Sequence, residues 1–252
     1  MTVNGMSPEL TNRPVALITG ASAGLGLALA HGLADRDWAL IIDARGADAL
    51  KDAADALADR TDVVPLAGDV TDPIHRSDLL EAVTELGRLD LLVNNASYLG
   101  PSPLQPLGVA DLDELRRVYE VDVVAPIALT QALLPALSAA SGVVLNISSD
   151  AAVEAYEGWG GYGSAKAALD HATAVLAAEH PSQGNFIPSP GQPLGYPDTK
   201  VIELRTLMEA LASGTTASPN IDDWVMTARA LDAVPQRRWV KIGAQATPIA
   251  AS

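Results

Sequence analysis

From residue 13 to about residue 180, short apolar runs alternate with longer stretches whose apolar residues recur at helical spacing. The runs at 15–19, 38–43, 62–66, 89–93 and 142–147 predict strands, and the stretches at 24–35, 47–59, 74–86, 111–137 and 160–179 predict helices. This alternation predicts an α/β fold, a doubly wound, parallel, Rossmann-like sheet in a single domain. In such sheets ligands bind beyond the carboxyl ends of the strands, near the topological switch point. Gly20, Asp69, Asn94 and Ser149 each fall just after a predicted strand, so they are expected to converge there.

Val15-Ala16-Leu17-Ile18 runs into Thr19-Gly20-Ala21-Ser22-Ala23-Gly24-Leu25-Gly26, and helical spacing follows over 27–34. Strand, glycine-rich loop and helix form the context that a phosphate-binding loop requires. Glycines permit the tight turn and close backbone approach, and the helix N-terminus offers free N–H groups and a positive dipole end to pyrophosphate. Gly20-Ala21-Ser22-Ala23-Gly24 also fits the nucleophile elbow of α/β-hydrolases. However, an elbow serine follows several earlier strands, and this one follows the first. His171 and His180, the histidines that would serve it, stand in no recognisable loop context.

In Tyr162-Gly163-Ser164-Ala165-Lys166 a phenol and an ammonium lie four residues apart, and Tyr162 lies thirteen residues after Ser149. On a helix that spacing puts both on one face. A free phenol titrates near ~10 and is a poor acid–base catalyst at neutral pH, but a fixed positive charge nearby favours its phenolate. A serine hydroxyl arriving from a neighbouring strand end would hold a carbonyl oxygen beside it. The arrangement suits proton transfer to or from an alcohol or carbonyl.

These residues resemble the short-chain dehydrogenase/reductase family in its shorter, single-domain branch, over about residues 13–180. Thr19-Gly20-x-x-x-Gly24-x-Gly26 resembles the family's cofactor loop, which also includes Ser22 and Leu25. Gly68-Asp69-Val70 resembles its adenine-side motif. Asn94-Asn95-Ala96-Ser97 is similar to Asn-Asn-Ala-Gly, with Ser97 in place of the glycine. Asn146-Ile147-Ser148-Ser149 resembles the strand that delivers the catalytic serine. The resemblance implies that Tyr162 is the general acid in reduction and the base in oxidation. It implies that Lys166 assists Tyr162 and bonds the nicotinamide ribose, and that Ser149 orients the substrate oxygen. It further implies that Asn95, with Ala96, holds the cofactor loop and central strand, and that Asp69, with Val70, meets the adenine. One position departs. In Val121-Asp122-Val123-Val124-Ala125-Pro126, Asp122 occupies the slot of an asparagine that anchors a water-mediated proton relay to the lysine. An aspartate accepts hydrogen bonds but donates only when protonated, and it brings negative charge near Lys166. The relay is therefore expected to survive in altered form.

The cofactor is expected to be NADP(H), with NAD(H) the alternative. An NAD-selective site places an acid at the end of the second strand. Counted from Gly26 as in the family, that position is Ala44, followed by Arg45, which would pair with a 2′-phosphate. Asp43 lies one residue early and should project to the opposite side. A one-residue shift would turn it toward the ribose.

Composition narrows the partners. The chain has 252 residues and a net charge of -15, from 31 acidic and 16 basic side chains. That disfavours nucleic acid and anionic membrane and leaves a small carbonyl or alcohol substrate. The chain has no cysteine, hence neither disulfide nor thiolate chemistry, and its four histidines show no ligand spacing, so no metal is expected. The polar first dozen residues lack an apolar signal-peptide core, and no uninterrupted apolar stretch reaches ~18 residues, so a cytoplasmic protein is expected. The family implies a homodimer or homotetramer built on the helices at 111–137 and 160–179.

Residues 1–12 are expected to be a polar tail, 13–180 the dinucleotide-binding and catalytic core, and 181–252 the rest of the same domain. That last part holds six basic and six acidic residues, so the net charge resides in 1–180. A strand near 184–190, helices at 201–212 and 221–232 and a strand at 238–242 are expected there, yet Pro188 falls inside the first of these strands. The part is read as a specialised substrate lid or as a tail altered by a reading-frame change. The competing functional readings are a nucleotide-binding sensor without turnover and a chain with a disrupted substrate-binding tail.

Overall fold

The computed structural model describes residues 13–180. Five strands, β1 (Val15–Ile18), β2 (Ala39–Ala44), β3 (Val63–Ala67), β4 (Leu91–Asn94) and β5 (Val143–Asn146), form one sheet in the order β3-β2-β1-β4-β5, every pair parallel. The predicted doubly wound α/β class is what the chain adopts. The chain steps outward from β1 to β3, then crosses to the other side of β1 for β4. That reversal between β1 and β4 is the switch point where such sheets open a crevice.

Helices cover both faces, which is why the strands read as unbroken apolar runs. Successive residues of a strand face opposite sides. Ala16, Ile18, Leu40, Ile42, Leu91 and Val93 pack under α1 (Gly24–Ala34) and α2 (Ala47–Leu57), against Leu29, Leu33, Leu50 and Leu57. Val15, Leu17, Ile41, Leu92 and Val144 pack under α3 (Pro73–Leu86) and α5 (Ala125–Ala140), against Leu79, Val83, Leu129, Leu133 and Leu137. Local signals set the boundaries of α3. The Asp72 side chain accepts from the Ile74 N–H, Pro73 fills the first turn, and Gly87 at φ +76° closes the end. Pro65 is tolerated because β3 is an edge strand of the described sheet.

The helix predicted over 111–137 is not one regular helix. Here α4 (Leu112–Tyr119) passes through a π-helical turn, Glu120–Val124, into α5. Pro126 has no N–H to return to the residue-122 carbonyl, as an α-helix requires. Instead the Ala125 N–H reaches back five residues to the Glu120 carbonyl. The run Leu112–Ala140 is long and apolar enough to cross a membrane by length and composition, although charged residues interrupt it. Its Leu129, Leu133 and Leu137 are nevertheless core residues beneath the sheet. The last helix, α6 (Gly160–Glu179), matches the predicted span. The polar tail at 1–12 and the elements expected at 184–190, 201–212, 221–232 and 238–242 lie outside the described residues.

Candidate active site

The loop after β1 is built around glycine geometry. Gly20 and Gly24 hold φ +65° and +56°, and a Cβ on Gly24 would meet nothing within 4 Å, so its backbone faces open space. A Cβ on Gly26 would fall 2.5 Å from the Gly20 carbonyl oxygen and 2.6 Å from Asn95 Nδ2. Only glycine lets α1 start that close to the loop. Residue Ala23 caps α1 with no side-chain hydrogen bond, which leaves its first N–H groups to a ligand. Ser22 lies in this loop and Leu25 in the first turn of α1, both half-buried.

Asn95 fastens the loop to β4. Its Nδ2 donates to the Thr19 and Gly20 carbonyls at 2.9 and 3.1 Å, while the N–H groups of Asn95 and Ala96 each donate to Thr19 Oγ1 at 3.0 Å. Thr19 is therefore a central structural residue of the site. The sequence reading quoted it within the motif but gave it no role. Its signal was position alone, a hydroxyl at the last step of a buried strand.

Three further residues gather on the expected adenosine side. Asp69 Oδ1 accepts from the Thr71 N–H at 2.9 Å and the Thr71 hydroxyl at 2.8 Å. Burial pushes the Asp69 carboxyl up, but these bonds and the charges of Arg45 and Arg117 outweigh it and hold it below its ordinary value. Val70 is buried, and its carbonyl accepts from Arg76 at 2.8 Å. Arg45 is exposed just beyond β2, and Asp43 turns inward to His75, the side opposite to a ribose-binding acid.

The residues expected to transfer the proton stand where β5 meets α6. Ser149 follows β5, is 7% exposed, and its Oγ accepts from the Ala151 N–H at 3.2 Å. The neighbouring Ser148 is engaged elsewhere, donating to Asp170 at 2.7 Å. Tyr162 and Lys166 share one face of α6, with Lys166 Nζ 5.5 Å from the Tyr162 ring centroid. A side chain at Gly163 would collide with the Ala151 carbonyl, so glycine brings α6 close to the turn carrying Ser149. Trp159 packs edge-on to Tyr162 at 6.0 Å, and Tyr156 to Trp159 at 6.2 Å, extending an aromatic row from the phenol.

Lys166 is 1% exposed and Asp122 0%. Lys166 Nζ donates to the Ile147 carbonyl at 3.0 Å and meets Asp122 Oδ1 at 2.9 Å. The same oxygen accepts from Ser97 Oγ at 2.6 Å, and Asp122 Oδ2 accepts from the Tyr98 N–H at 3.2 Å. The expected negative charge is therefore in direct contact with the ammonium, which is more than a charge placed nearby. The two positions that depart from the family pattern, Ser97 and Asp122, are bonded to each other. That coupling was invisible in sequence because twenty-five residues separate them. Among the described residues no group of three or more potential metal ligands gathers.

Fold and site together define a nucleotide-binding α/β oxidoreductase scaffold with a Ser-Tyr-Lys centre at the strand ends. Residues 14–191 match the family model described as short chain dehydrogenase. The chain belongs to the short-chain dehydrogenase/reductase family. It is 36% identical to sepiapterin reductase from Mus musculus over 219 residues, 79% of this chain and 84% of the relative. Among solved structures it is similar to L-sorbose reductase from Gluconobacter frateurii, complexed with NADPH and L-sorbose, at a TM-score of 0.64 and 32% identity, covering 69% of this chain and 66% of that one. An alcohol dehydrogenase from Thermococcus sibiricus, complexed with 5-hydroxy-NADP, is similar at a TM-score of 0.63 and 29% identity, covering 67% and 72%.

Proposed function

We propose that this enzyme interconverts a small carbonyl compound and its secondary alcohol with NADP(H), using Tyr162 as the acid or base. The observation that carries the reading is the buried ammonium of Lys166, held 5.5 Å from the Tyr162 ring by Asp122 and the Ile147 carbonyl. The open Gly24 backbone, the uncapped start of α1 and the Thr19–Asn95 clasp fit a dinucleotide. When bound, the nicotinamide supplies or accepts the hydride. In reduction the Tyr162 hydroxyl gives its proton to the substrate oxygen, and Ser149 holds that oxygen by hydrogen bonding. Lys166 orients the ribose and provides positive charge beside the phenol. General acid–base catalysis of this kind contributes roughly 10²–10⁴-fold.

NADP(H) is preferred over NAD(H) because Asp43 is turned to His75, Ala44 is small, and Arg45 is exposed where it could meet a 2′-phosphate. The NADPH and 5-hydroxy-NADP complexes of the two similar structures support the preference. The decisive test uses Tyr162→Phe with a carbonyl panel that includes sepiapterin and L-sorbose. Turnover should fall at least 100-fold while NADPH still binds. Activity near wild type would remove Tyr162 from the mechanism.

The direct Asp122–Lys166 ion pair favours one competing reading, a nucleotide sensor without turnover, because it offsets the charge beside the phenol. Tight NADPH binding with no turnover across the panel would establish that reading instead. We also propose that the enzyme is a homodimer or homotetramer using α4–α5 and α6, where Leu112, Val124 and Val175 are exposed.

A further inference from the structure

Asp43 and His75 form a buried, hydrogen-bonded pair that takes no part in the proton or hydride transfer above. Asp43 stands one residue before the end of β2 and is 1% exposed, and His75 stands in the first turns of α3 and is 5% exposed. Asp43 Oδ1 and His75 Nε2 lie 2.6 Å apart. Asp43 also grips the glycine loop: its own carbonyl accepts from the Ala21 N–H at 2.8 Å, and the Gly20 N–H beside its carboxylate favours the charged form. His75 grips the adenine-side loop: its ring lies flat against Gly68, where a Cβ would overlap it. The Gly68 N–H in turn donates to the Ala44 carbonyl at 3.0 Å, and the next residue of α3, Arg76, holds the Val70 carbonyl at 2.8 Å. One ion pair thus joins the loop expected to hold the phosphates to the loop expected to hold the adenine.

A buried carboxylate is tolerated only with compensating charge or hydrogen bonds. The titratable groups acting on this pair are otherwise acidic: Asp69 from the loop after β3, and Asp72 and Asp78 from α3. An imidazolium at His75 would be the counter-charge, and the Gly20 N–H from the glycine loop also favours the carboxylate.

We propose that Asp43 and His75 are a positioning pair for the adenosine-phosphate half of a dinucleotide, and that tight binding requires His75 to be protonated. With the imidazolium present, the carboxylate behind the glycine loop is neutralised. Without it, an uncompensated buried anion sits behind the backbone that must receive phosphates. The hydrogen bond to Asp43 raises the His75 imidazole above its ordinary value, and burial raises the Asp43 carboxyl, so the folded pair retains its proton beyond the range of a free histidine. Affinity is therefore full at neutral pH and falls as pH rises through the His75 titration.

The proposal rests on the dinucleotide-binding reading, and one experiment separates the two. The full chain is titrated with NADPH by fluorescence from pH 7 to 9.5, above the titration of a 2′-phosphate at about 6. Wild type should weaken by about tenfold across that range. Asp43→Asn, with no charge to neutralise, should lose most of that slope and bind better than wild type at pH 9.5. His75→Gln should bind several-fold more weakly at pH 7, with a flattened profile. The double variant Asp43→Asn/His75→Gln carries no buried charge and should be flat as well; it decides the matter if a single variant does not fold. Equal slopes in wild type and in the Asp43→Asn or double variant would overturn the proposal. No NADPH binding by wild type at any pH would instead overturn the dinucleotide reading on which it rests.

Discussion

At the scale of single residues, the site is governed by two buried charge pairs with different tasks. Asp122 and Lys166 compensate each other at the proposed catalytic end. Removing one partner of a buried pair typically costs 3–5 kcal/mol, because the other charge is stranded. An amide at position 122 keeps an acceptor for the ammonium and lifts the opposing charge from the neighbourhood of the phenol. Asp122→Asn should therefore preserve or raise kcat in steady-state assays, and a loss of turnover would show that the carboxylate itself is needed. At the proposed adenosine end, His75 is held above its ordinary value by Asp43, which carries a consequence for the ligand-free protein. The folded chain holds this proton more tightly than the unfolded chain. Its stabilisation is therefore complete below about 6.5, the unfolded value, and is lost as pH rises through the higher folded value. Melting curves of the ligand-free protein from pH 6 to 9 should show wild type losing a few degrees more than His75→Gln.

At the scale of elements, backbone irregularities carry functional groups to their places. The π turn Glu120–Val124 sets the rotation of Asp122 toward Lys166, and Pro126 makes that turn necessary by withholding an N–H. Helix α6 approaches the turn after β5 because Gly163 has no side chain. Gly163→Ala would force α6 away from the Ala151 carbonyl. Overpacking of this kind costs roughly 1–3 kcal/mol and would widen the gap between Ser149 and Tyr162. The expected outcome is a lower denaturation midpoint together with a fall in kcat of at least tenfold; full activity with unchanged stability would contradict the close approach. At this scale the sequence was legible where periodicity was clean. Strands β1 to β5 and helices α1, α2, α3 and α6 fall within a few residues of their expected spans. The π turn was not legible, because the apolar spacing runs through it unbroken and the cause is a missing hydrogen bond rather than a pattern.

At the scale of the whole molecule, the parallel sheet converts sequence-distant motifs into one edge. The side chains of Asn94 and Asn146 lie opposite each other in register and are joined at 2.7 Å, with Thr130 and Thr173 extending the polar row at 3.4 and 2.6 Å. This row fixes β4 to β5 at the end where Asn95 and Ser149 emerge. The proposed assembly also belongs to this scale. Light scattering of the purified chain should give a mass of two or four copies. Val175→Glu or Leu112→Glu, both at exposed apolar positions, should shift it toward one copy with the fold retained. A wild-type monomer would remove α4–α5 and α6 as an interface.

Local chemistry alone determined much of this protein. Apolar period and turn residues specified the alternating elements, and the glycine spacing, the Asn-Asn step and Tyr162-x-x-x-Lys166 marked the proposed cofactor loop and the proposed catalytic helix, because each is a short-range constraint on one strand end or one helix face. Tertiary structure decided which charges meet. The contacts of Asp122 with Ser97 and Lys166, and of Asp43 with His75, join residues twenty-five to forty-four positions apart. Such pairings follow from the order of strands and the burial they impose, since a carboxylate withdrawn from water must find its counter-charge wherever the fold has placed one.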